Sequence, residues 1–140
     1  MNKEDNFKEK FKEALISTVK VISDDYKLEK GERNNLNSKN FSFIELDNLN
    51  SKEDYVKLRA ETDSEALKRK FSNNNIYKKN LPSNTSCKLL YGISEKIRYE
   101  VLGTKMLNGI SKNLKDNYSR KILLKKKNQL KSKDDVQIAE

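Results

Sequence analysis

The sequence predicts a mainly α-helical domain of three to four helices with a small β-hairpin, an α+β fold with a minor sheet, followed by a flexible basic C-terminal tail. Three observations lead to this fold class. Apolar residues recur every three or four positions in three segments, a short aromatic-rich run separates the first two segments, and lysines crowd the C-terminus. At about 100–200 residues per domain, a chain of 140 residues holds one such domain.

The first helix is predicted from Glu4 to Ile22. Its apolar residues are spaced by three or four and therefore share one face of an amphipathic helix: Phe7, Phe11, Leu15, Val19 and Ile22. A polar Ser-Asp-Asp run follows at 23–25, and such a cluster is typical of a helix end.

The hydrophobic period changes after this helix. Tyr26 and Leu28 alternate with charged residues, the stretch 31–39 is polar, and an aromatic-rich run follows at 41–46. Alternation of apolar and polar residues is typical of strands. We predict a β-hairpin with strands near 26–30 and 40–46, packed on helix one.

Ser51 and Asp54, three residues apart, form a capping arrangement that predicts the start of a second helix. The residues of this helix expected to point inward are Tyr55, Leu58, Thr62, Ala66 and Phe71. The helix is expected to end by Asn73, and the segment from there to Pro82, the single proline, is interpreted as a connection.

The longest periodic segment spans 86–122 and is predicted to be helical throughout or to form two helices with a break near Gly103. Its apolar stripe has two parts: Leu90, Ile93, Ile97 and Val101, then Leu107, Ile110, Leu114 and Tyr118. Gly92 and Gly103 lie roughly three turns apart on one side, where they would let another backbone approach closely.

The net charge of +9 raises the possibility of a nucleic-acid partner. The 30 basic residues divide into 25 Lys and 5 Arg, and 17 Asn accompany them. This is the composition that AT-rich codons produce, whereas recognition of phosphates and base edges favours Arg. We therefore expect no nucleic-acid partner, and keep a small basic nucleic-acid-binding accessory protein, using Tyr77, Lys78, Lys79 and the Lys-rich tail, as the alternative function.

Composition excludes several classes of active site. The chain has no His and one Cys, so it lacks a His-based triad and a Cys/His zinc site. Its four glycines match neither of the glycine-rich phosphate-binding patterns. No apolar stretch is long enough to span a membrane, and the first ten residues lack the apolar run of a secretory signal, so we expect a cytoplasmic protein.

Two pairs of opposite charge stand at helical spacing. Arg59 and Asp63 are four residues apart on the second helix, and Glu95 and Arg98 are three apart on the third. They are either surface ion pairs, worth about 0–1 kcal/mol, or links between the two helices at the rim of the core.

Three segments resemble one known family in the order in which that family has them. Residues 95–114 resemble its pattern E-x-x-R-x-E-x-x-G-x-x-x-M-x-G-V-x-x-N-L, residues 11–23 its F-K-x-A-L-x-x-T-V-x-A-I-S start, and residues 59–67 its R-G-x-A-D-x-x-A-L helix. The family is that of CobT, a subunit of aerobic cobaltochelatase, and the resemblance covers its N-terminal region. Ala60 and Thr62 depart from the glycine and alanine that are usual there.

The resemblance implies cobalamin biosynthesis, in which cobaltochelatase, a ligase that forms nitrogen–metal bonds, inserts cobalt into the corrin ring at the expense of ATP. In such a complex an AAA+ ATPase subunit and a large corrin-binding subunit are the partners. We expect residues 1–122 to be a helical CobT N-terminal-like domain, residues 123–140 a Lys-rich linker, and the family's C-terminal von Willebrand A domain to be absent.

This chain is then a non-catalytic assembly domain without an active site, and ATP, Mg²⁺ and cobalt are bound elsewhere in the complex. The resemblance also selects candidate residues, which would be either a packing spine or a partner surface. Together with the two charge pairs they are Arg59, Asp63, Glu95, Arg98, Glu100, Gly103, Met106, Gly109 and Asn113.

Overall fold

The computed structural model describes residues 3–27 and 49–127. Five helices lie in these ranges: α1 (Lys3–Ser23), α2 (Lys52–Phe71), α3 (Asn74–Lys79), α4 (Thr85–Met106) and α5 (Asn108–Lys127). Within the same ranges the chain forms helices and turns but no strand. The mainly helical fold class is therefore confirmed for the described residues.

Helix α1 forms where the apolar spacing predicts it and packs against α2. Leu15, Val19 and Ile22 are buried, while Phe7, the first residue of the predicted stripe, lies at the surface. The helix ends at Ser23, and the residue that follows, Asp24, has a φ of 57°, the left-handed conformation that commonly terminates helices. The next residues, Tyr26 and Lys27, form a turn, so the start of the predicted first strand is wrong. The rest of the predicted hairpin, 28–48, lies outside the described residues.

Helix α2 is central and contacts α1, α4 and α5. Its predicted start is confirmed as a capping box, in which Ser51 Oγ accepts from the Asp54 amide at 3.2 Å and Asp54 Oδ2 accepts from the Ser51 amide at 2.8 Å. Each carboxylate or hydroxyl oxygen thus satisfies a backbone donor that a helix start leaves without a partner. The buried residues of α2 are Ala60, Thr62, Asp63, Ser64, Ala66 and Leu67.

The connection predicted between Asn73 and Pro82 contains a helix of six residues, α3. The Asn73 side chain caps it by accepting from the amides of Asn75 and Ile76. The sequence does not reveal this helix, because Asn favours turns and caps equally and six residues are too few to show an apolar period.

The segment 86–122 forms two helices, and the break between them lies at Leu107, in extended conformation, rather than near Gly103. The apolar stripe of α4 is not its buried face, since Leu90, Ile97 and Val101 are exposed. Helix α4 instead buries Tyr99, Glu100 and Gly103. Polar side chains with partners on other helices can occupy a buried face, and hydropathy alone does not reveal such partners.

Helix α5 returns along the domain and buries Ile110, Leu114 and Asn117. It continues to Lys127, so residues 123–127 of the predicted tail are helical. The core lies between α1, α2, α4 and α5 and is formed by Val19, Ile22, Ala60, Ala66, Leu67, Tyr99, Ile110 and Leu114, with Phe71 packed against it. None of the helices in the described ranges has the length and apolar character needed to cross a bilayer.

Candidate functional site

Seven of the nine candidate residues lie at contacts among α2, α4 and α5. Six of them form three groups, which are the Glu95–Arg98 pair beside the end of α2, Glu100 between three helices, and the set of Arg59, Asp63 and Asn113 between α2 and α5. Gly103 is the seventh of these contact residues and lies against Leu67, whereas Met106 and Gly109 are exposed. We name the three polar groups the α2 end cap, the Glu100 junction and the Asp63 junction.

The α2 end cap ties α4 to the last turn of α2. Arg98 donates from Nε to Glu95 Oε2 at 2.7 Å, and from Nη2 to Glu95 Oε1 at 2.8 Å and to the Phe71 carbonyl at 2.7 Å. Ser72 Oγ donates to Glu95 Oε1 at 2.6 Å. Hydrogen bonds from Arg98 hold the pKa of Glu95 down to about 2. The pair therefore stays ionised at neutral pH and satisfies a carbonyl that the helix end leaves without an intrahelical donor.

The Glu100 junction is a buried carboxylate held by donors from two other helices. Ser64 on α2 donates to Oε1, and Tyr118 on α5 donates to Oε2 at 2.7 Å. Lys96 Nζ lies 3.9 Å from Oε1, one helical turn away. Burial, followed by the hydrogen bond to Glu100, raises the pKa of Tyr118, so that its hydroxyl stays a donor at neutral pH. One side chain thereby fixes the relative position of α2, α4 and α5.

The Asp63 junction contains the most deeply buried charge among the candidates. Asn113 Nδ2 donates to Asp63 Oδ2 at 2.6 Å, and Arg59 Nε lies 3.5 Å from Oδ1 without forming a hydrogen bond. Desolvation raises the pKa of Asp63 and outweighs the opposing effect of Asn113 and Arg59. The junction links α2 to α5, and its carboxylate is only partly compensated.

The two motif glycines differ in environment. A Cβ atom on Gly103 would overlap the side chain of Leu67, so the absence of a side chain there lets α4 approach α2 closely. Gly109, on the first turn of α5, has no neighbouring atom within 4 Å of the position of its Cβ. Close packing therefore requires glycine at 103 and not at 109.

A surface that the sequence analysis missed lies on the other side of α4. The α4–α5 groove has a volume of about 740 Å³, and its apolar lining consists of Ile93, Ile97, Val101, Leu114, Tyr118 and Ile122. Lysines 96, 115, 121 and 125 also line it. The signal for this surface in the sequence is the apolar stripe of α4, which contains Ile93, Ile97 and Val101.

The described residues offer little chemistry beyond these contacts. Over 3–27 and 49–127, no three Asp, Glu, Cys or His side chains come close enough to hold a metal ion together. The charged groups of the α2 end cap and the two junctions bind other groups of the same domain, and the groove is lined mainly by aliphatic side chains and lysines. The arrangement suits packing between α2, α4 and α5.

The comparisons with known proteins gave one match. A family model described as "Cobalamin biosynthesis protein CobT" matches residues 5–140. Among curated proteins, and likewise among solved structures, no match was found.

Proposed function

Because the chain belongs to the family of the cobalamin biosynthesis protein CobT, we propose that it acts in cobalamin biosynthesis as a non-catalytic docking domain of a cobaltochelatase subunit. The cobaltochelatase complex inserts cobalt, its metal substrate, into the corrin ring with the energy of ATP hydrolysis. In this proposal the domain binds other subunits so that the complex can assemble, and the reacting groups belong to other parts of the complex.

One observation supports the docking role most directly. The charged residues of the family-like motif, Glu95, Arg98, Glu100 and Asp63, are engaged with side chains or carbonyls of the same domain. An active site needs reactive groups that face a cavity open to substrate. Since the motif is engaged internally, it supports a stable shape, and a stable shape is what a docking domain presents to its partners.

The partners we propose are the AAA+ ATPase subunit and the large corrin-binding subunit. ATP and Mg²⁺ would be bound by the ATPase, and cobalt and the corrin by the large subunit. The residue types of this chain support that division, because it has no His, one Cys and no glycine-rich phosphate loop.

Reconstitution from purified subunits tests the proposal. The full chain is mixed at micromolar concentration with the AAA+ subunit, with the large subunit and with both, and each mixture is analysed by sedimentation velocity. We expect the chain to sediment with at least one partner, and cobalt insertion by the three-part mixture to depend on its presence. A chain that sediments alone in every mixture, combined with unchanged cobalt insertion when it is omitted, would refute the docking function.

A further inference from the structure

We propose that the α4–α5 groove is the docking site for an acidic amphipathic helix of a partner protein. The inference deepens the proposed function and rests on it for its biological setting, because it names the surface and the chemistry through which the domain would dock. Three features of the groove support the proposal, namely its exposed apolar lining, its dimensions and its charge.

The apolar lining is exposed to a degree unusual for branched aliphatic side chains. Ile97 is 56% exposed, Val101 45% and Ile122 54%, and all three line the same groove. Single exposed apolar residues are common on protein surfaces, but contiguous apolar patches mark sites of interaction. Water contact along this strip would be removed if another apolar surface covered it.

The shape of the groove fits a helix. Its lining on α4 extends from Ile93 to Thr104, and at about 1.5 Å rise per residue this is a length of roughly 16 Å, or three helical turns. Helices α4 and α5 are joined by Leu107 alone and form the two walls. A third helix laid between them would present apolar residues at positions i, i+3, i+4 and i+7 to the strip, which is a recurring mode of peptide recognition.

The charge around the strip selects an acidic occupant. Among the described residues, four lysines line the groove, and Glu100 is the one acidic residue. Both oxygens of Glu100 already accept hydrogen bonds, from Ser64 and Tyr118. Helix α5 as a whole carries seven basic residues and one acidic residue. A partner with Asp and Glu beside its apolar face would meet complementary charge.

The same charges argue against two other occupants. A second copy of this chain would bring two lysine-rich rims together, and such juxtaposition of like charges opposes association. The lysines of the groove could bind the phosphates of a nucleic acid, but the strip between them is aliphatic. Protein surfaces that bind single-stranded nucleic acids instead carry aromatic or guanidinium planes on which the bases stack. Within the part of the chain that the structure describes, the lining of this groove contains one aromatic residue, Tyr118, and no arginine.

One lining residue of the groove, Tyr118, is held in place before any partner binds. Tyr118 donates its hydroxyl to Glu100, and the ammonium of Lys121 lies 5.9 Å from the centre of the Tyr118 ring. A side chain fixed at both its hydroxyl and its ring loses little conformational freedom on binding, which favours affinity.

The test uses the ¹⁵N-labelled full chain and a synthetic peptide as probe. The peptide forms a helix of about four turns with Leu at positions i, i+3, i+4 and i+7 and Glu at the exposed positions. Two control peptides carry Lys in place of Glu, or the same residues in scrambled order. We expect the acidic helix to shift the amide signals of 93–104 and 114–125, and the control peptides to leave them unchanged.

Matched variants locate the binding site. Ile122→Ser is expected to weaken binding of the acidic peptide by about tenfold, while Leu124→Ser, on the same helix and outside the groove, leaves it unchanged. Lys115→Glu is expected to weaken binding and reduce its salt dependence, and Lys112→Glu, outside the groove lining, to have a smaller effect. All four side chains are exposed, so circular dichroism should show the helical content of the wild-type chain in each variant.

Four results would overturn the inference. The first is binding of the acidic peptide that Ile122→Ser does not alter, or no binding at all. The second is equal binding of the basic peptide or tighter binding of a single-stranded oligonucleotide to the same amides. The third is concentration-dependent self-association that Ile122→Ser abolishes, which would identify a second copy as occupant. The fourth is binding that begins only after residues 30–46 are deleted, which would identify the chain's own segment as occupant.

The peptide experiment contains no cobaltochelatase subunit. Its failure would therefore leave the sedimentation result, and with it the proposed docking function, unaffected. Conversely, a chain that binds the acidic helix in the groove but sediments apart from the cobaltochelatase subunits would retain the groove as a docking site and refute the proposed partners.

Discussion

Gly103 on α4 packs directly against Leu67 on α2, with both residues buried. A Cβ atom at position 103 would overlap both methyl carbons of Leu67. Leu67 is itself among the core residues that solvent does not reach, so it has little space into which to move. This contact sets how closely the two helices approach.

Gly103→Ala is therefore expected to lower the free energy of unfolding by about 1–3 kcal/mol, because one methyl group overfills a packed contact. Gly109→Ala is the matched control. Its Cβ would meet no atom, and alanine favours the helix over glycine by about 1 kcal/mol, so this variant should be slightly more stable than the wild type. Urea titrations followed by circular dichroism measure both values. Similar changes in the two variants would contradict the packing argument.

Asn113→Ala is expected to destabilise the domain by about 1–3 kcal/mol, because it removes the hydrogen bond that Oδ2 of the buried Asp63 carboxylate receives from Asn113. Asn108→Ala is the control, because Asn108 is exposed at the start of the same helix. Asn117 is buried and is therefore less suitable. Equal unfolding midpoints in urea for Asn113→Ala and the wild type would show that the Asp63 junction contributes nothing.

The charge of Asp63 should also make stability depend on pH. Burial raises the pKa of Asp63 above its ordinary 3.8, so the folded state binds its proton more tightly than the unfolded state. As pH rises from about 4 through the raised pKa, the unfolded state gives up this proton first, and stability falls. Urea titrations at several pH values give the free energy of unfolding of the wild type and of Asp63→Asn. Over this pH range, the free energy of unfolding of the wild type should fall relative to that of the variant. If the wild type instead became more stable than Asp63→Asn as pH rises, the raised pKa of Asp63 would be contradicted.

Tyr118→Phe is expected to cost about 1–2 kcal/mol, since Glu100 Oε2 would lose its donor from α5 inside a mostly buried site. Tyr91→Phe is the control, because the Tyr91 ring packs on that of Tyr77 with centroids 5.0 Å apart and the ring is kept in the variant. If the two variants unfold at the same urea concentration, the Glu100 junction does not connect α4 to α5 in solution.

Much of the helical framework follows from local sequence signals. The spacing of Leu15, Val19 and Ile22 predicts α1, and the pair Ser51 and Asp54 predicts the start of α2, because both signals act within one or two turns of the chain. The six-residue α3 gives no such signal. The division of 86–122 into two helices is one of the two alternatives that the sequence predicts. The break lies at Leu107, four residues after the predicted position at Gly103.

The buried face of α4 could not be predicted from its hydropathy. Helix α4 has two faces that could be buried, the apolar stripe and the face that carries Tyr99, Glu100 and Gly103. The face with Glu100 is the buried one, because Ser64 and Tyr118 donate hydrogen bonds to Glu100. Those donors lie 36 and 18 residues away in sequence. The candidate residues could thus be found from their pattern, whereas their partners, and the groove left on the opposite face, depend on the packing of distant helices.

The α2 end cap predicts a pH dependence opposite to that of Asp63. Hydrogen bonds from Arg98, together with that from Ser72, lower the pKa of Glu95 from 4.5 to about 2 in the folded state. The stability contributed by the ionised Glu95 is therefore complete above about pH 4.5 and is lost as pH falls toward 2. Glu95→Gln should remove this dependence and cost about 1 kcal/mol at neutral pH, a modest value because Arg98 is half exposed and water screens the pair.

Arg98→Lys separates the effect of charge from that of geometry at the α2 end cap. Lysine keeps the positive charge but lacks the planar fork with which Arg98 reaches Glu95 and the Phe71 carbonyl together. We expect hydrogen exchange of the amides near 68–72 to accelerate in Arg98→Lys and in Glu95→Gln alike, and to stay unchanged in Lys105→Gln, which removes a charge from the exposed last turn of α4. Exchange at 68–72 that responds to Glu95→Gln but not to Arg98→Lys would mean that charge alone, and not the shared carbonyl contact, holds the end of α2.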